Sequence, residues 1–119
     1  MPDIAYDRER DLVSSSDVNG TAVCNRAGKH VGTIDQLMID KHSGQVFYAI
    51  MTFGGFLGFG EEEFLIPWTA LHYDKGAHGF MTDVLPAQLE AAPQRPDNWH
   101  QDREYEKRLH DLYQTRYWL

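Results

Sequence analysis

The stretch from Ser43 to Gly60, SGQVFYAIMTFGGFLGFG, carries no charged side chain, and it limits what the chain can become. Drawn as a strand, it points Val46, Tyr48, Ile50 and Thr52 to one side and Phe47, Ala49, Met51 and Phe53 to the other. Both faces are then largely apolar, so the strand needs cover on both sides. Its aromatic and β-branched residues follow the turn-forming pair Ser43-Gly44 and stop at Gly54-Gly55, which favours a strand over a helix. A membrane-spanning helix needs about 20 apolar residues. This run is shorter, glycine-broken and strand-patterned, so the spacing of Gly54 and Gly58 is not read as a membrane helix pair.

A loop with Gly54, Gly55, Gly58 and Gly60 follows, carrying Phe56, Leu57 and Phe59, and Glu61, Glu62 and Glu63 then lead into Phe64-Leu65-Ile66-Pro67-Trp68. This is a hairpin with an apolar tip. Burying each of its three large side chains is worth about 1.5 to 3 kcal/mol, a sum that rivals the stability of a small domain. The tip either folds back over an open end of its own barrel or docks on a partner.

The turn Asp40-x-x-Ser43-Gly44, the aromatic strand, the GGFLGFG loop and the strand with Ile66-Pro67-Trp68 resemble the PRC-barrel family, as does the GKHVG run from Gly28 to Gly32. The likeness runs from about Leu12 to Leu85. That module is shared by the cytoplasmic part of the H subunit of purple-bacterial photosynthetic reaction centres, a bacterial ribosome-maturation factor, and small stand-alone bacterial proteins. The resemblance implies a mainly β fold, a small SH3-like barrel of about six strands, closed or nearly so. It also implies use as an assembly or adaptor surface, with no catalytic residues to carry over. The chain lacks the ribosome factor's separate N-terminal domain and the reaction-centre subunit's membrane helix, so the stand-alone kind is expected. A link to photosynthesis would rest on the best-known relative and on no residue of this chain.

A length of 119 residues suits one domain with a real core. With 18 acidic against 11 basic side chains the formal charge is -7, and no Lys/Arg stripe is present. This argues against nucleic acid and anionic lipid as partners, and basic proteins suit better. Cys24 is the only cysteine, which excludes an intrachain disulfide and a multi-thiolate zinc site. In Ala22-Val23-Cys24 it reads as a small buried hydrophobe rather than a reactive thiol. The start, MPDIAYDRERD, is charged throughout and has no apolar signal core, so a cytoplasmic location is expected.

Taken in order, residues 1–11 read as a flexible arm, 12–85 as the barrel, 86–96 as a linker with a short helix, and 97–119 as a C-terminal helix. Strands are expected over Leu12–Ser15, Thr21–Asn25, His30–Asp40, the central hairpin, Leu71–Asp74 and Gly79–Thr82. An inward Asp35 would need partners, so a bulge is expected to rotate it out. Pro67 belongs on an edge or at a bulge, and Trp68 is expected to plug the barrel. Asp83 would cap a helix through Leu89. Asp97 or Asn98 would cap a second helix reaching Arg116, with Tyr105, Leu109, Leu112 and Tyr113 on its apolar side and Glu106 on its wet side. The aromatic end, Tyr113, Tyr117 and Trp118, packs on its own barrel, on a second subunit or on a foreign partner, and a swapped helix would satisfy both.

Asp102, Glu106 and His110, each four residues apart, share a helix stripe and are weak metal-ligand candidates, although such a stripe is more often a solvated face. Asp40, His42 and Ser43 read as turn chemistry, not as a triad, since triad members must converge in space. No phosphate-binding or zinc motif occurs. The resulting expectation is a non-enzymatic interaction module without cofactor or catalytic residue, self-associating as a homo-oligomer or gripping a protein. Phe56, Leu57, Phe59, Tyr113, Tyr117 and Trp118 are its partner-binding candidates. A membrane-protein partner is compatible with this, whereas membrane insertion and nucleic acid are not. The alternative is a small-ligand or metal-responsive protein using the barrel mouth at Tyr48 and Trp68.

Overall fold

A computed structural model describes residues 12–54, 60–74 and 79–117. The charge-free stretch forms β3 (Val46–Thr52), in which Tyr48, Ala49, Ile50 and Met51 are buried in succession. Cover on both faces is thus met, as the absence of charge requires. On either side lie β2 (His30–Ile39) and β4 (Glu63–Pro67), both antiparallel to β3. With β1 (Ala22–Cys24), β5 (Leu71–Asp74) and β6 (Gly79–Thr82) they make a six-stranded sheet in the order β4-β3-β2-β1-β6-β5. Among the described residues only β1 and β6 pair in parallel, through Val23 with Phe80 and Cys24 with Met81. The mixed sheet curls into a half-barrel whose edges, β4 and β5, are joined by a 3-10 turn at Trp68–Ala70. Pro67 ends an edge strand, where its missing N–H breaks no ladder.

Local chemistry explains where the observed elements depart from the expected ones. Residues Leu12–Ser15 form no strand: Ser14 caps a single turn, α1 (Ser15–Val18), by accepting the Ser16 N–H at 3.2 Å. Short polar side chains here bind the nearby backbone in place of a neighbouring strand. Asn25 leaves β1 because its side-chain oxygen accepts the N–H groups of Ala27 and Lys29 and so shapes the turn at Gly28, whose φ is +83°. Asp83 caps nothing. It pairs with Arg26 at 2.5 Å, while Gln88 closes the start of α2 (Pro86–Ala91) by accepting the Leu85 N–H at 2.7 Å.

The expected bulge at Asp35 is present as a register shift between Ile34 and Gln36. It does not free the side chain: Asp35 is half-buried and its Oδ2 is buried without a partner. Three residues earlier, Gly32 lets β2 and β3 approach, for a Cβ there would stand 2.6 Å from the Thr52 carbonyl oxygen.

The C-terminal segment divides into a 3-10 turn, Trp99–Gln101, and α3 (Arg103–Leu112), shorter than the helix to Arg116 that its pattern suggested. Asp102 caps α3 by accepting the Tyr105 N–H at 3.0 Å. Beyond Tyr113, Gln114 adopts φ +59°, and the Thr115 and Gln114 N–H groups close on the carbonyls of His110 and Asp111. This is a Schellman ending with Gln in the left-handed position that glycine usually fills. Tyr105, Leu109 and Tyr113, each four residues apart, lie buried with Leu89, Trp99 and the sheet in one core. No helix among the described residues is long and apolar enough to cross a membrane.

Candidate functional site

Tyr48 is central to the open groove between the β2–β3 hairpin and the C-terminal segment. Strand alternation turns its ring towards α3, where it meets Trp99 edge-on at 5.6 Å. Its hydroxyl donates to Glu106 Oε1 at 2.5 Å and lies 3.1 Å from His110 Nε2. On its other side the His110 ring places Nδ1 2.7 Å from Thr115 Oγ1. The helical offset of four aligns Glu106 with His110, and the stripe faces the sheet instead of water.

The proton positions follow from these contacts. Tyr48 has one hydroxyl hydrogen and gives it to Glu106, so His110 Nε2 donates to the Tyr48 oxygen. Nδ1 is then the acceptor and takes the Thr115 hydroxyl hydrogen. The result is a relay from Thr115 through neutral His110 and Tyr48 to the Glu106 carboxylate. Burial holds the imidazole well below its ordinary value, at a pKa of about 4, with Asp111 pulling weakly the other way. Burial, then the hydrogen bond to Glu106, pushes the Tyr48 phenol far up, so it stays protonated.

Above this relay lies a cavity of about 530 Å³, lined by Met38, Ile39, Phe47, Tyr48, Trp99 and Tyr117 among others. Ile39 is 53% exposed at its rim. His100 stacks on Trp99 at a ring separation of 4.0 Å, and Lys41 and Arg103 bring positive charge. Tyr117 reaches the same cavity and meets His110 edge-on at 5.4 Å.

Of the residues singled out from sequence, Tyr48, Glu106, His110 and Tyr117 come together here. Tyr113 lies in the core, 6% exposed. Trp68 is in the 3-10 turn between β4 and β5, where it packs on Phe80 at 5.4 Å and does not share the Tyr48 cavity. Phe56, Leu57, Phe59 and Trp118 lie outside the described residues. As a metal site the Asp102, Glu106, His110 stripe does not assemble: Asp102 caps the helix while the other two converge on Tyr48. Among the described residues no group of three His, Cys, Asp or Glu is placed to hold a metal ion. Asp40 behaves as turn chemistry, accepting the Ser43 N–H at 2.8 Å, and hydrogen bonding from the Ser43 side chain, then from its backbone N–H, holds the Asp40 carboxyl below the usual range.

Sequence reading gave no role to Trp99 or Thr115, although both complete the relay and its cover. The signal for Trp99 was the Asp97-Asn98 turn, which sets it before the helix; Thr115 carried none, because its place follows from the conformation of Gln114. In comparison with known families, residues 10–89 match the family model described as PRC-barrel domain. No curated protein matches. The matched region supplies the sheet and Tyr48, whereas Trp99, Glu106, His110, Thr115 and Tyr117 come from the segment that follows it.

Proposed function

The chain belongs to the PRC-barrel family, a family of non-catalytic interaction and assembly modules, and on that premise we propose that it is a self-associating assembly module that docks through the groove between the β2–β3 hairpin and α3. The observation that carries this reading is the groove of about 530 Å³ with Ile39 half exposed on its rim and Tyr117 at its edge. An exposed branched aliphatic beside an open aromatic cavity is surface that association would remove from water. Trp118 and Leu119 follow Tyr117 in sequence, so the aromatic end of a second copy is the occupant with matching chemistry. The relay beneath holds the groove wall in one geometry, which lowers the ordering cost of docking.

Light scattering across a concentration series tests the reading. The full chain is expected to form a discrete oligomer, and Ile39→Glu, or a chain ending at Arg116, is expected to shift it to monomer while the fold persists. A monomer at about 100 μM full chain would refute self-association, since an assembly that weak would fall short of the usual micromolar range. Recovery of a foreign basic protein would redirect the reading to a heterologous partner. Phe56→Ser with Phe59→Ser probes the glycine-rich tip as a second contact. A small-molecule reading keeps one supporting observation, that the cavity's size suits a ligand, and native mass spectrometry of the purified protein distinguishes it.

A further inference from the structure

A second cavity, of about 510 Å³, lies between β4 and the connector that joins α2 to α3. Its apolar wall includes Leu65, Leu89 and Leu109. Two polar groups on the lining have unused donors: Arg95 Nη1 and the Tyr113 hydroxyl are both buried and neither has a hydrogen-bond partner. Tyr113 is 6% exposed, so water does not replace the missing acceptor freely. A guanidinium cannot shed its charge, and buried hydroxyls and charged N–H groups are ordinarily paired. Two orphan donors on one cavity therefore point to an absent acceptor.

Tyr105 lines the same cavity as Arg95 and Tyr113. Burial pushes the Tyr105 phenol up to about 12, the Arg95 charge pulls it back, and Tyr105 in turn acts on Tyr113. Three carboxylates, Glu62, Glu63 and Glu90, also line the cavity, and all three residues are exposed. They disfavour a dianion such as phosphate, as does the net charge of -7. A carboxylate beside an ammonium suits one cation with a phenol on one side and several acids on the other.

We propose that this cavity binds an apolar α-amino acid, its carboxylate held by Arg95 Nη1 and the Tyr113 hydroxyl, its ammonium towards the glutamates and its side chain against Leu65, Leu89 and Leu109. The site is separate from the docking groove and does not depend on self-association. Calorimetric titration of the full chain with L-leucine and L-phenylalanine tests it, with leucinol lacking the carboxylate and 4-methylpentanoate lacking the ammonium. Leucine or phenylalanine is expected to bind saturably and raise the melting temperature, with both analogues about tenfold or more weaker. Arg95→Met is expected to weaken binding about tenfold or more, and Tyr113→Phe by several-fold. Should Arg95→Met fail to fold, Arg95→Lys keeps the charge, loses the planar fork, and is expected to weaken binding in the same direction. Leucine-induced shifts of the Leu89 and Leu109 methyl resonances place the ligand. The proposal is overturned if neither amino acid binds below about 10 mM, if leucinol binds as well as leucine, or if a folded Arg95 variant binds unchanged.

Discussion

His110 is 1% exposed, between the Tyr48 hydroxyl and Thr115, and its pKa of about 4 compares with 6.5 for the ordinary group. The unfolded chain therefore takes up a proton near pH 6.5 that the folded chain refuses until about pH 4. By linkage this stability is fully present above pH 6.5 and is lost as pH falls towards 4, a change on the order of 2 to 3 kcal/mol. Urea melts of the protein and of His110→Gln at pH 7, 5.5 and 4 are expected to show a shallower slope in the variant; equal slopes would refute the burial argument. Asp35 works in the opposite sense. Burial first, then the nearby Glu63 charge, hold its carboxyl above 3.8, against the Thr52 side-chain hydrogen bond. The folded state then resists its ionisation, so stability falls as pH rises from the unfolded value through the folded one. Asp35→Asn is expected to stabilise the protein at pH 7 in a denaturant melt, with the gain fading in acid. The sequence showed that Asp35 broke an apolar face and that a bulge would answer it. It did not show that the bulge leaves Oδ2 unpaired, because that depends on what β4 brings alongside.

Elements that two independent signals marked were legible with their bounds. Leu71–Asp74 and Gly79–Thr82 combined strand residues with turn residues between them, and the apolar positions of β3 required cover from both sides. Elements governed by one local bond were not. α1 is a single capped turn, and α3 ends where Gln114 takes a positive φ that no glycine announces. Helical periodicity placed Tyr105, Leu109 and Tyr113 in the core. It set Glu106 on the wet side, because its partner Tyr48 is 58 residues away on another element. Gly32 shows how closely the strands fit: an alanine Cβ would meet the Thr52 carbonyl oxygen at 2.6 Å and the Phe53 ring at 3.0 Å. The nearest of these is backbone, which cannot rotate away. Gly32→Ala is expected to cost about 2 to 3 kcal/mol in a denaturant melt, and a neutral result would mean that β2 and β3 separate more easily than their register implies.

At the scale of the molecule, the parallel ladder of β1 with β6 joins the β4-β3-β2-β1 part of the sheet to the β6-β5 hairpin. The Arg26–Asp83 pair, 57 residues apart, lies beside it. Both of its side chains are exposed, so the pair marks the join more than it holds it. A chain ending at Asp74 would keep every hairpin up to β4, yet it would lack β6, the strand that lies between β1 and β5. It is expected to show no cooperative thermal transition, and a sharp transition in that fragment would mean that β1 to β4 suffice. During synthesis the ribosome releases β1 long before β6 exists. The outer edge of β1 therefore waits unpaired while most of the sheet forms, and the last ladder to close is also the one with the longest loop to gather. Until that encounter happens the nascent chain offers a bare strand to any neighbour translated from the same message.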